Sequence, residues 1–344
     1  MPRLRWLSLF ALLFFSLALA GGTESRYRLT PILDPTGTLP IFIDDVNDAG
    51  AAVGGDDAED PENRHAIFWW RGTFIDLHRF IDPAVGRSEA SAINSRFDVA
   101  GIYADAQGTN RGFLLRRGRF VAVETGAALT VNDVNNKGQI TGVTFGSAGA
   151  VVGYVWDSGS VMILPPFEQG SFVSDAREIN ERGVVVGTSE VEPFGSHAVI
   201  WVDGQAIDLG VAPGFGGSRG NAINDRGQVV GVLEGGQSGT RAFIWDAGTM
   251  TALPPLRDMP FNAALDINNK GDIVGVAESP NLFFPVLWRD GVAIDLNTLI
   301  DENDPLRPFV MLASARLINN RGQIIATGSD FTFYLLTPKR RHAP

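Results

Sequence analysis

A five-residue phrase returns seven times along this chain, and that recurrence limits the possible folds more than any bulk property. The copies are Val46-Asn47-Asp48-Ala49-Gly50, Ile93-Asn94-Ser95-Arg96-Phe97, Val134-Asn135-Asn136-Lys137-Gly138, Ile179-Asn180-Glu181-Arg182-Gly183, Ile223-Asn224-Asp225-Arg226-Gly227, Ile267-Asn268-Asn269-Lys270-Gly271 and Ile318-Asn319-Asn320-Arg321-Gly322. Successive asparagines are 47, 41, 45, 44, 44 and 51 residues apart. Self-similarity at such a period signals a solenoid, a propeller or an array.

Each unit continues in step. Four residues after the fifth position comes a small residue: Gly54, Gly101, Gly142, Gly187, Gly231, Gly275 and Ala326. Next comes a large apolar residue with glycine three later, as Trp69-Gly72, Leu115-Gly118, Trp156-Gly159, Trp201-Gly204, Trp245-Gly248 and Trp288-Gly291. An aliphatic closes the unit at Leu77, Val123, Leu164, Leu209, Leu253 and Leu296. Between these marks lie short β-branched and aromatic runs bounded by turn residues, and no stretch keeps a helical period. Asn-x-x-Gly fits a type I turn ending in a glycine bulge, and Trp-x-x-Gly marks a second hairpin. Every unit therefore holds four strands, called a, b, c and d.

Seven such units of roughly 45 residues predict an all-β, seven-bladed propeller of four-stranded antiparallel blades. The tryptophans are expected to pack between blades; a ligand-stacking ladder is the weaker alternative. The seventh unit stops after a third strand at Phe331–Leu335, and the strand-like Tyr27–Ile32 precedes the first unit. Placing that segment as the outer strand of the last blade closes the ring and removes an open edge. An open stack of sheets is the competing architecture.

The unit resembles the extracellular HAF repeat family. The likeness is carried by the Ile-Asn-x-x-Gly-x-x-x-Gly core and by His197-Ala198-Val199-Ile200-Trp201, His65-Ala66-Ile67-Phe68-Trp69 and Arg241-Ala242-Phe243-Ile244-Trp245, and it covers residues 40 to 338. Phe97, Leu115, Ala326 and the short seventh unit depart from the pattern. The resemblance implies an exported, propeller-like repeat protein and brings no catalytic residues.

The N-terminus agrees with export. Arg3 and Arg5 precede an apolar run from Trp6 to Ala20 that ends in Ala18-Leu19-Ala20, the pattern of a secretory signal peptide and too short for the ~20 residues of a spanning helix. Residues 1–20 are expected to be removed, leaving one propeller domain over 21–338, a basic tail over 339–344, no membrane span and a secreted or periplasmic monomer. The absence of cysteine excludes disulfides, thiolate metal sites and cysteine nucleophiles. A net charge of -11 with no basic stripe outside Lys339-Arg340-Arg341 argues against nucleic acid.

Function is expected on the face that carries the b–c loops and the d-to-a crossings, where length varies from unit to unit. The first b–c loop offers Asp56, Asp57, Glu59, Asp60 and Glu62; the crossing from Asn297 to Ile318 offers Asp301, Glu302, Asp304 and Arg307. Such oxygens could take Ca²⁺, although the spacing does not match a calcium loop. A solvated loop is the simpler account, so no metal or cofactor is assigned. His65 and His197 share one register and belong to the repeat. Gly214-Phe215-Gly216-Gly217-Ser218 precedes a strand, unlike a phosphate loop. H-E-x-x-H, G-x-S-x-G and G-x-x-x-x-G-K patterns are absent. The expected role is binding or scaffolding for a protein or polysaccharide partner, with an extracytoplasmic hydrolase or lyase using loop carboxylates as the alternative.

Overall fold

The computed structural model describes residues 26–35, 41–56, 64–81, 86–146, 149–168, 170–191, 195–236, 239–280 and 282–339. The signal segment, Asp57, Glu59, Asp60, Glu62 and the tail beyond Lys339 lie outside the described residues. The chain forms seven four-stranded antiparallel sheets. Blade 5 is representative, with strands a to d at Gly217–Ile223, Val229–Gly236, Gly239–Asp246 and Thr249–Ala252. Among the described residues the helical elements are two short 3-10 turns, His78–Phe80 and Leu296–Leu299.

The ring closes as the unit arithmetic requires. Blade 7 supplies strands at Leu312–Ile318, Ile324–Gly328 and Phe333–Pro338, and its outer strand is Tyr27–Ile32. That strand pairs along its whole length, from Tyr27 opposite Pro338 to Ile32 opposite Phe333. Strand c of this blade begins at Phe333, two residues beyond the start expected from sequence.

The a–b turn is built by its asparagine. In blade 5 the Asn224 Oδ1 accepts the Arg226 and Gln228 amides, each at 3.0 Å, while the Gly227 amide donates to the Asn224 carbonyl at 3.0 Å. Gly227 sits at φ +86°, in the left-handed region that a Cβ disfavours. Phe97 takes the same place at φ +65° and keeps the bonding, with Asn94 accepting from Arg96 and Asp98. Its ring lies edge-on to Trp70, with centroids 5.5 Å apart, which offsets part of the backbone cost. The c–d connections are two-residue turns with both residues at positive φ, as at Asp203-Gly204.

Close backbone approach explains the small residue of strand b. A Cβ on Gly231 would lie 1.9 Å from the Arg219 carbonyl oxygen of strand a, and the glycines at 54, 101, 142, 187 and 275 meet the same obstacle. Blade 7 carries Ala326 instead, and its strand a has a second register shift, between Leu312 and Ser314.

Seven apolar clusters form the core, one at each blade interface. Trp69, Trp156, Trp201 and Trp288 are buried in them, and Trp245 is half-buried against its cluster. Trp201 packs with Val155 and Leu164 of the preceding blade and donates its indole N–H to the Pro165 carbonyl at 2.8 Å. Trp288 repeats this with Pro254, also at 2.8 Å. The tryptophans are therefore interblade packing groups rather than an exposed ladder.

Candidate functional site

Strand a of each blade faces the central channel, and the repeated asparagines meet there in a closed ring. The Nδ2 of Asn47 donates to the carbonyl of Asn94, Asn94 to Asn135, Asn135 to Asn180, Asn180 to Asn224, Asn224 to Asn268, Asn268 to Asn319 and Asn319 back to Asn47, at 2.8 to 3.2 Å. All seven residues are buried. Each side chain thus caps its own turn through Oδ1 and grips the next blade through Nδ2, which uses the whole amide. The following residues extend the pattern at the channel mouth: Glu181 accepts from the Asn136 amide and side chain, Asp225 from the Glu181 amide, and Asp48 from the Asn320 amide. A cavity of about 330 Å³ opens at this end of the channel.

Further in, a β-bulge in strand a turns two successive side chains toward the channel. The register shifts at Asp44, Ser91, Arg177, Asn221, Leu265 and Arg316, and the pairs Asp44-Asp45, Arg177-Glu178 and Leu265-Asp266 line the same space. Four carboxylates there accept main-chain amides of the next blade: Asp45 from Ile93 at 2.7 Å, Asp133 from Ile179 at 2.8 Å, Glu178 from Ile223 at 3.0 Å and Asp266 from Ile318 at 2.6 Å. Burial pushes the Asp133 carboxyl up to about 7 and that of Asp266 up to about 6. Burial raises Asp45 and Glu178 well above the carboxylate range, and repulsion among these acids adds to the rise. Asp44 is raised to about 7 by burial and by Glu89. A second cavity of about 300 Å³, lined by Asp44, Arg177, Asn221, Ser314 and Arg316 among others, opens further along the channel.

The acidic residues singled out from sequence have more local work. Asp56 ends strand b of blade 1, and its Oδ1 accepts the His65 amide at 2.6 Å. Asp304 is buried and accepts the Leu29 amide at 2.8 Å, and the Asp301 amide donates to the Tyr27 carbonyl at 2.9 Å. Asp301 also pairs with Lys339, which holds its carboxyl below the usual range. Both residues fasten the closing strand. Glu302 is exposed 3.8 Å from Arg26, and Arg307 is exposed. His65 and His197 each meet a strand-d carboxylate, Asp76 and Asp208, at 3.0 and 2.9 Å, as members of the repeat. Among the described residues no group of three or more His, Asp or Glu side chains is arranged to hold a metal ion, and no helix is long and apolar enough to cross a membrane.

The structure adds a feature that the sequence motifs did not single out. Among the described residues ten phenylalanines are exposed, and nine of them fall in the b–c connections, the d-to-a crossings or the strand ends that lead into them: Phe42, Phe80, Phe145, Phe167, Phe172, Phe261, Phe283, Phe309 and Phe331. The tenth, Phe97, is on the opposite face. Phe145 and Phe172 converge at the junction of blades 3 and 4. Phe145 pairs with Val151, and the Val151 amide donates to the Phe172 carbonyl at 2.9 Å. In blade 6, Phe261, Glu278 and Phe283 form one row across strands a, b and c. The signal was available in the sequence as phenylalanines placed between the repeat signatures.

No family model matches the chain, and no curated protein matches it in sequence. Solved structures do match. YCF48 bound to a D1 peptide aligns with TM-score 0.55 at 11% identity, covering 92% of this chain and 96% of that one. The WD40 β-propeller domain of Doa1 aligns with TM-score 0.50 at 13% identity, over 91% and 98% of the two chains. The Pyrococcus horikoshii acylaminoacyl peptidase aligns with TM-score 0.52 at 13% identity, over 86% of this chain and 51% of that one. At these identities the likeness is one of fold, and it places the chain among the β-propellers.

Proposed function

We propose that the chain is an exported binding or scaffolding module of the HAF repeat type, which recognises a protein partner with its variable-loop face. The carrying observation is the nine exposed phenylalanines of that face, set on a ring whose other large aromatics are mostly buried. Apolar groups gathered on one surface of a water-facing protein favour a partner that covers them. YCF48, which shares the fold, has been solved bound to a peptide, and this supports a protein partner here.

The test is a pull-down from cell-envelope extract with the wild type and a Phe145→Ser/Phe172→Ser double variant, run beside a glycan array. The variant is expected to keep its melting temperature and to lose a protein that the wild type captures, with no glycan signal. Equal capture by both proteins, or a glycan bound by both, would overturn the proposal.

A further inference from the structure

Among the described residues the outer strands of blades 1 to 6 pair on one side only, whereas in blade 7 Tyr27 and Leu29 bond to Asp301 and Asp304. Open edges are normally guarded by charge, proline or shortness. Blades 1, 4 and 6 place an aspartate in theirs (Asp76, Asp208, Asp295), blade 2 an arginine (Arg119), and blade 7 both Arg28 and Pro31. Blade 5 has the four-residue Thr249–Ala252. Blade 3 is the exception. Its outer strand Ser160–Leu164 has no charge and no proline, and Val161, Met162 and Ile163 are all exposed.

The register shows what this edge offers. Asp157 pairs with Ser160 around the two-residue turn Ser158-Gly159, so Ser160 and Met162 turn their main-chain groups toward strand c. The amides and carbonyls of Val161 and Ile163 therefore point outward. Val161 and Ile163 present their side chains on one face of the sheet and Met162 on the other.

We propose that blade 3 accepts a fifth strand, an extended segment of a partner protein with β-branched residues at alternate positions and basic residues at its ends. An extended polypeptide strand matches alternating donors and acceptors at this spacing, in place of the water that otherwise bonds them. The charge of the partner follows from the chain's own net of -11 and from Asp157, exposed opposite Ser160 at the start of the strand. The same charge opposes a second copy, and a five-residue strand buries far less than the ~1,200 to 2,000 Å² of a stable interface. This inference rests on the protein-recognition reading for the class of partner but uses a different surface.

The probe is a labelled peptide, Lys-Lys-Val-Thr-Val-Thr-Val-Lys-Lys, titrated into the full chain by fluorescence anisotropy. Two further peptides carry N-methyl groups on alternate backbone amides, one set in each phase. One phase is expected to weaken binding by about tenfold or more and the other to leave it unchanged. Val161→Pro removes an outward amide without touching the bonds to strand c, and is expected to weaken the unmodified peptide by a similar factor at an unchanged melting temperature. Equal binding of both methylated peptides, undiminished binding by Val161→Pro, no binding at all, or a dimer of the chain by light scattering would each overturn the proposal. Peptide binding lost in Phe145→Ser/Phe172→Ser but kept in Val161→Pro would place the partner on the variable-loop face, overturning this inference while sparing the one before it.

Discussion

The side-chain amide of Asn319 donates to the main-chain carbonyl of Asn47 at 2.8 Å, across 272 residues of sequence. The same carbonyl also accepts the Gly50 amide at 2.9 Å, so the turn and the interface share one oxygen. Local turn geometry and ring closure are thereby the same chemistry, repeated at every blade.

Replacing one asparagine separates those two roles. Asn224→Ala removes the cap on Arg226 and Gln228 together with the bond to Asn268, and is expected to cost about 3 kcal/mol. Asn224→Asp keeps the cap but sets an oxygen against the Asn268 carbonyl, so it should also destabilise. Urea unfolding of both variants measures this, and an Asn224→Asp protein as stable as the wild type would show that the ring bond contributes nothing.

The strand-b glycine predicts an asymmetry between blades. Gly231→Ala forces a methyl group onto the Arg219 carbonyl and is expected to cost at least about 2 kcal/mol. Ala326→Gly in blade 7, where the backbone already accommodates the methyl group, should cost only about 0.5 to 1 kcal/mol. Thermal melts of the two variants, compared at one pH, decide the point.

Stability should fall as pH rises from about 4 to 7. An unfolded Asp carboxyl, near 3.8, has lost its proton by the upper part of that window, whereas Asp133 holds its proton to about 7 and Asp266 to about 6. The folded state binds more protons there, so the contribution of these groups is full below pH 4 and is lost as they ionise. Melting temperatures between pH 5 and 8 should decline in the wild type and decline less steeply in Asp133→Asn/Asp266→Asn, where Asp44, Asp45 and Glu178 still titrate. An equal slope in both proteins would remove these acids as the cause.

The closing strand should loosen first when its fastening is cut. Asp304→Ala frees the buried Leu29 amide and is expected to cost about 2 kcal/mol. Hydrogen exchange should quicken at Leu29 more than at Ile223, which belongs to another blade. Uniform acceleration at both amides would mean that blade 7 has no separate weakness.

The architecture was legible because its determinants are local: an asparagine and a glycine three apart make a turn wherever they occur, and seven copies set the count. The expected closing strand, Tyr27–Ile32, is the one observed. The candidate site was less legible because its determinants are remote. Asp304 reads as a loop acid until Leu29 is seen to lie beside it, 275 residues away in sequence. The channel carboxylates were hidden for a different reason. A bulge shifts the strand register, so alternation along residues 44 to 46 does not show that Asp44 and Asp45 line the same space. Phe97 shows the converse, since a residue unsuited to its turn left the turn's bonding intact.

Every amide in the asparagine ring points the same way round, so the circle has a direction of travel and no end from which it could unravel. One missing member idles a donor in one blade and an acceptor in its neighbour, and the fault cannot be pushed to an edge. A gene that grows by duplication could drift in unit number, but this circle closes only when each hand reaches the next, and that requirement polices the count.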